Sequence, residues 1–426
     1  MRPFSDISEP QAGLAPLCSA FALPSSSTFV PAWAPRPWSR RSGKGENRLV
    51  DVSYEVEIGR GKRGRRAYSL DDIALIPARR TRDPEDVNVS WQLDAYHFDI
   101  PVVAAPMDSL MSPTTALQFG KLGGLGVLDL DGLWTRYEDP LPLLEEIAEL
   151  PRDHITARLQ EIYSAPIKDD LIGQRIEELQ AGGVVTAGRL SPQRTLRYWR
   201  TAVDAGLDLF VIRGSTVSAE HVSSRAEPLN LKHFIYELDV PVVVGGVATY
   251  TAALHLMRTG AAGVLVGFGG GAAHSTRRSL GIHAPTATAI ADVAAARRDY
   301  LDESGGRYVH VIADGGVGHS GNMVKAIACG ADAVMLGAAL ARAKEAPGHG
   351  WHWGSEATHP EVPRGHRAHV GTVGTFEEVL YGPSVRDDGS LNFIGALKRA
   401  MATTGYSEVK DLQRVEVVVS PYRPAD

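Results

Sequence analysis

Eight short apolar runs, at 102–107, 126–130, 184–188, 208–213, 241–245, 263–267, 309–313 and 333–337, alternate with segments long enough to be helices. The runs are apolar enough for strands covered on both faces, as in a parallel sheet wrapped by helices. Several run-ins look alike: KLGGLGVLDL, DAGLDLFVIRG, RTGAAGVLVG and ACGADAVMLG each end a helix-like stretch on glycine and then start a strand. Glycine suits the left-handed position just past a helix. A strand–helix unit repeated eight times predicts the α/β class and a closed (β/α)8 TIM barrel. An open doubly wound sheet is the other arrangement of the same pattern. Between the second and third runs, 131–183 has leucines, isoleucines and acidic residues at helical spacing, which predicts helices and no inserted domain.

The barrel is expected to occupy 51–426. Residues 1–50 carry Pro3, Pro10, Pro16, Pro24, Pro31, Pro35 and Pro37 and a serine run at 25–27, with no sustained periodicity, and read as a disordered N-terminal extension. Asp6 and Glu9 precede the apolar stretch 13–24, which argues against a cleaved signal. With 44 Lys+Arg against 50 Asp+Glu and a net charge of −6, the chain lacks the basic excess of a nucleic-acid or anionic-membrane binder. No uninterrupted apolar run reaches about eighteen residues, so a cytoplasmic protein with no membrane partner is expected. Cys18 and Cys329 make neither a disulfide framework nor a metal-ligand spacing, and no metal site is expected.

In a barrel, functional groups project from the C-terminal ends of strands. Three loops there stand out. After run six comes GFGGGAAHSTRR, where Gly267, Gly269, Gly270 and Gly271 leave the backbone uncovered toward a ligand or cation. After run seven comes IADGGVGHSGN. There Asp314 is suited to both hydroxyls of a ribose, Gly315, Gly316 and Gly321 to presenting amides, and Ser320 to capping a helix whose N-terminus faces an anion. After run eight, Gly337 offers one more amide to the same phosphate. Taken singly, each feature also has a plainer reading. Glycines after strands form turns, Asp before Gly-Gly is a common Asx-turn residue, His274 is a satisfied histidine, and Cys329 is a small buried hydrophobe beneath the barrel. His366 and His369, in PRGHRAHVGT, are either solvated loop residues or part of a lid.

These loops in this order resemble the IMP dehydrogenase and GMP reductase family, through YSLDDIALIPAR, AAPMDSLMS, KLGGLGVL, GGVAT, VGFGGGAAHSTRR, IADGGVGHSGN, GADAVMLG, EAPG and GALKRAMATTGYSEVKDLQ. EIGRGKRGRRAYSLDDIALIPARRTR and SWQLDAYHFDIPVV are closest to its actinobacterial branch, which lacks CBS domains. The resemblance implies a purine nucleoside 5′-monophosphate substrate, NAD or NADP, a monovalent cation and a homotetramer. It assigns Asp314 to the ribose, and Gly315, Gly316, Gly337 and Gly271 to the phosphate end of the substrate. Gly267 and Gly269 would approach the nicotinamide or the cation. The family's nucleophilic cysteine falls on His274, which makes His274 the candidate catalytic group, with Thr276 kept beside it. Ala272 and Ala338 stand where serines are expected, Gly246 where an asparagine is, and Arg213 where an aspartate meets a cofactor ribose. A guanidinium at 213 points to the cofactor, with a preference for a 2′-phosphate. Two functions follow: an oxidoreductase resembling IMP dehydrogenase, or a catalytically silent paralogue that binds purine nucleotide and regulates an active relative.

Overall fold

The computed structural model describes residues 55–420 apart from 225–226, 355–356 and 358–365. The chain divides into units 1–54 and 55–426. The predicted disordered extension, with Cys18, lies outside the described residues.

Eight parallel strands close into a barrel in sequence order: β1 (Val102–Ala104), β2 (Leu125–Asp129), β3 (Ala187–Leu190), β4 (Leu209–Arg213), β5 (Val242–Val247), β6 (Gly263–Val266), β7 (His310–Asp314) and β8 (Ala333–Leu336). Closure is made by β8 against β1, with Val334 opposite Val102, Met335 opposite Val103 and Leu336 opposite Ala104. The open-sheet arrangement is thereby set aside. Strands β5, β6 and β8 are buried along their whole length, as expected of strands with a filled barrel on one side and helices on the other. The run-in glycines behave as the sequence predicts: Gly123, Gly206, Gly260 and Gly330 all have positive φ, between 85° and 120°.

The 131–183 segment folds as helices: α2 (Leu141–Glu149), α3 (Arg152–Ile162) and α4 (Asp169–Ala181) follow α1 (Pro113–Lys121), the helix between β1 and β2. Ser112 starts α1 with a reciprocal capping box, its hydroxyl accepting from the Thr115 amide at 3.0 Å.

One strand differs from its expected place. The apolar run 184–188 is a run-in, and β3 is the stretch Ala187–Leu190, which carries Arg189. A charged residue ends an apolar run in sequence, but here the guanidinium is paired inside the barrel mouth and the strand continues through it. At the opposite end of the barrel, Asp332 accepts from Arg297 (2.7 Å), Tyr308 (2.6 Å) and the Val311 amide (2.8 Å), so the buried charge there is both paired and hydrogen-bonded.

Candidate functional site

Strand ends β1, β4, β6, β7 and β8 surround a cavity of about 350 Å³ lined by Gly267, Gly269, Gly271, His274, Asp314, Gly315, Gly316, Gly337 and Arg213. The residues assigned from the sequence to ribose, phosphate, cofactor and catalysis, Thr276 apart, therefore line one cavity. Thr276 begins the short helix Thr276–Leu280 and is buried. The volume lies in the range of small-molecule sites.

The glycine-rich loops are close-packed on one another. A Cβ on Gly246 would sit 2.3 Å from the Gly267 carbonyl oxygen, and one on Gly267 would sit 2.4 Å from that of Asp314. Those two glycines are therefore required by the approach of neighbouring backbones, and no asparagine fits at 246. The Gly316 amide donates to the Gly270 carbonyl at 3.2 Å, tying loop six to loop seven. Ser320 is not the cap expected of it. It is the first residue of α5 (Ser320–Ala328), His319 takes the capping position, and the Ser320 amide donates to the Gly389 carbonyl. The chain turns one residue earlier because that amide is claimed by the later loop.

Arg213, at the end of β4, reaches across the mouth to Asp314. Its Nε donates to Oδ2 at 2.8 Å and its Nη2 to Oδ1 at 3.2 Å. Such a fork uses one lone pair on each carboxylate oxygen and leaves the others for a ligand's hydroxyls. His274 rests its Cδ2–Nε2 edge against Gly271, with Cδ2 2.7 Å from where a Cβ there would be. Cys329 caps the far end of α5, where burial raises its thiol to about 11, so it supplies no thiolate to the cavity.

A second cavity, of about 840 Å³, occupies the β1–β3 side of the same mouth. Sequence reasoning missed it. Asp108 is buried there, its Oδ2 accepting from the Tyr163 hydroxyl at 2.6 Å and its Oδ1 from the Leu133 amide at 3.0 Å, while Tyr163 accepts from Trp353 Nε1 at 2.9 Å. Burial, reinforced by the nearby Asp129 carboxylate, raises Asp108 to about 7. Arg189 bridges Asp129 (2.9 Å) and Asp131 (3.2 Å) and also donates to the Arg213 carbonyl at 2.7 Å. Arg136, Arg194 and Arg197 add positive charge to the lining. The available signal was VLDLD at the end of run two, a pair of carboxylates on a strand terminus.

Met107 lines both cavities, and so does the segment after β8, where His352 faces the smaller and Trp353 the larger. In the expected lid region His369 is exposed and His366 half-buried, while Arg367 between them is packed. Arg367 is buried, stacked 3.9 Å over the Trp351 ring, and donates to the Leu150 carbonyl. The short strand Ala368–His369 pairs with Trp351–His352. This is packed structure, held by a cation–π contact. Among the described residues no group of three or more His, Cys, Asp or Glu is placed to hold a metal, and no helix is long and apolar enough to cross a membrane.

Comparison with known proteins agrees with this architecture. Residues 67–366 match the model of the IMP dehydrogenase / GMP reductase domain. An uncharacterized oxidoreductase of Mycolicibacterium smegmatis is 52% identical over 372 residues, covering 85% of this chain and 99% of that protein. The inosine-5′-monophosphate dehydrogenase of Methanocaldococcus jannaschii is 28% identical, over 67% of this chain and 73% of that one. A crystal structure of an IMP dehydrogenase/GMP reductase-like protein from Corynebacterium glutamicum superposes with a TM-score of 0.82 at 48% identity, covering 86% of this chain and 98% of that one.

Proposed function

The chain belongs to the IMP dehydrogenase / GMP reductase family, and from that premise we propose that its smaller cavity binds a purine nucleoside 5′-monophosphate for oxidation or reduction at the purine ring. The convergence of Asp314, Gly315, Gly316, Gly337, Gly271 and His274 on one cavity at the strand C-termini carries the reading. Asp314 holds the ribose hydroxyls, with its carboxylate aimed by the Arg213 fork. Gly315, Gly316, Gly271 and Gly337 line the end that takes the phosphate. His274 lies against the purine, with Thr276 behind it.

NAD or NADP is the cofactor of this reading, and the residues present fit it. Gly267 and Gly269 line the cavity wall that would take the nicotinamide, and the adjoining arginine-lined cavity is large enough for the rest of a dinucleotide. Asp131 Oδ1 there is a buried acceptor with no donor. When bound, the dinucleotide supplies a hydride acceptor or donor. Arg213, engaged with Asp314, marks the junction of the two halves. A monovalent cation at the carbonyls of loop six, a homotetrameric assembly and a cytoplasmic location belong to the same reading.

With His274 at the loop-six position and no cysteine in the cavity lining, a covalent thiol adduct with the purine has no nucleophile there, and His274 Nε2 instead takes a proton from water attacking C2. In that direction IMP, NAD and water give XMP and NADH. The replaced cysteine also favours a second reading, a catalytically silent nucleotide-binding paralogue that regulates an active relative. Absorbance of the reduced cofactor, followed with IMP and NAD and with GMP and NADPH, separates the two. Turnover that disappears in His274→Ala supports the enzyme, and saturable nucleotide binding without turnover supports the silent paralogue. Absence of binding to any purine monophosphate overturns both.

A further inference from the structure

His352 is buried, 2% exposed, at the end of the two-residue strand Trp351–His352 and lines the smaller cavity. Its ring carbon Cε1 stands 3.3 Å from the position a Cβ on Gly337 would take, beside Met107 Sδ at 3.4 Å and the Ala105 Cβ at 3.7 Å. Of those three neighbours only the imidazole can hydrogen-bond. Its Nδ1 is buried with no partner among the described residues. A buried lone pair left bare is less costly than a buried N–H left bare, which places the ring hydrogen on Nε2. Cε1, the ring atom turned toward Gly337, is bonded to Nε2, so that nitrogen lies one bond from the contact.

Side-chain hydroxyls are missing beside Gly337 and Gly271. Ala272 and Ala338 line the cavity there and carry no hydroxyl, and the Gly316 amide is committed to the Gly270 carbonyl. We infer that His352 contacts the ligand, donating a hydrogen bond from Nε2 to the anionic oxygens that lie over Gly337. The inference rests on the nucleotide reading of the cavity and adds the residue that recognises the ligand's charged terminus. The charged or titratable groups that act on the ring are His274 on loop six and Arg213 on β4. Burial first, then those two groups, holds the imidazole down to about 4, so the ring is neutral near pH 7 and the contact requires no proton uptake.

The test is calorimetric titration of the full-length protein with IMP and with inosine, which lacks the phosphate, for the wild type, His352→Phe and His352→Gln. His352→Phe keeps a ring in place and removes the donor, so IMP is expected to bind about tenfold more weakly, as for loss of a hydrogen bond to a charged group. His352→Gln restores a donor and is expected to recover most of that loss. Inosine affinity should be the same in all three proteins. If melting shows that the Phe variant does not fold, His352→Met serves as the non-donating variant. Unchanged IMP affinity in the non-donating variant, or equal affinity of the wild type for IMP and inosine, overturns the role of His352 while leaving a purine site. Failure of the wild type to bind either compound removes the nucleotide reading itself, and this inference with it.

Discussion

Asp108 is a buried carboxyl whose two oxygens are occupied by Tyr163 and the Leu133 amide, yet burial and Asp129 still raise it to about 7. In the unfolded chain it titrates near 4. Between those values the folded protein holds a proton that the unfolded chain gives up. Its contribution to stability is therefore complete below about pH 4 and is lost as pH rises through about 7. Asp129 is displaced in the same direction by burial, with Arg189 opposing it, so the two carboxyls act together. Urea unfolding of the wild type at pH 5, 6, 7 and 8 should show stability falling across this window. The Asp108→Asn variant should lose up to about 1.4 kcal/mol per pH unit of that slope. An unchanged slope would show that the carboxyl is ionised throughout. None of this was legible from AAPMDSLMS, because neither burial nor the Tyr163 contact is written near residue 108.

At the scale of elements, loops five, six and seven meet through glycine. Gly246 lies under the Gly267 carbonyl and Gly267 under that of Asp314, so a methyl at either position has to push backbone, which yields less readily than a side chain. Gly246→Ala and Gly267→Ala are each expected to cost about 2–4 kcal/mol by denaturant unfolding, the range of overpacked or backbone-strained sites. Gly318→Ala, where nothing lies within 4 Å of the added carbon, should be close to neutral. Equal costs at all three sites would mean that the loops yield easily. The sequence displays these glycines openly, but it suggested a bare backbone facing a ligand, and only the tertiary structure shows a second reason for their presence. Strand β3 shows the reverse case. Its charged Arg189 hid a strand that the hydrophobic pattern placed three residues too early.

Across the whole molecule, Arg189 ties β2, β3 and β4 together by holding Asp129, Asp131 and the Arg213 carbonyl, and the Arg213 side chain carries the connection on to Asp314 on β7. Arg189→Met leaves two buried carboxylates without their cation and is expected to cost about 3–5 kcal/mol at pH 7. Part of that loss should return at pH 5, where buried Asp129, freed of the Arg189 charge that opposes its upward shift, can protonate, and urea unfolding at the two pH values measures the difference. A loss that stays the same at both would show that the carboxylates find other partners. The sequence by itself determined the eightfold alternation of strand and helix, the glycines that end the helices and the three loops that bear the candidate ligand groups. Those features are local requirements of backbone conformation and burial, and each is met within a few residues. Only the tertiary structure decided which side chains meet across the mouth. Barrel closure sets Arg213 against Asp314, 101 residues away, and brings His352 over Gly337, and no local pattern encodes a contact between strand ends that the closed sheet alone makes neighbours.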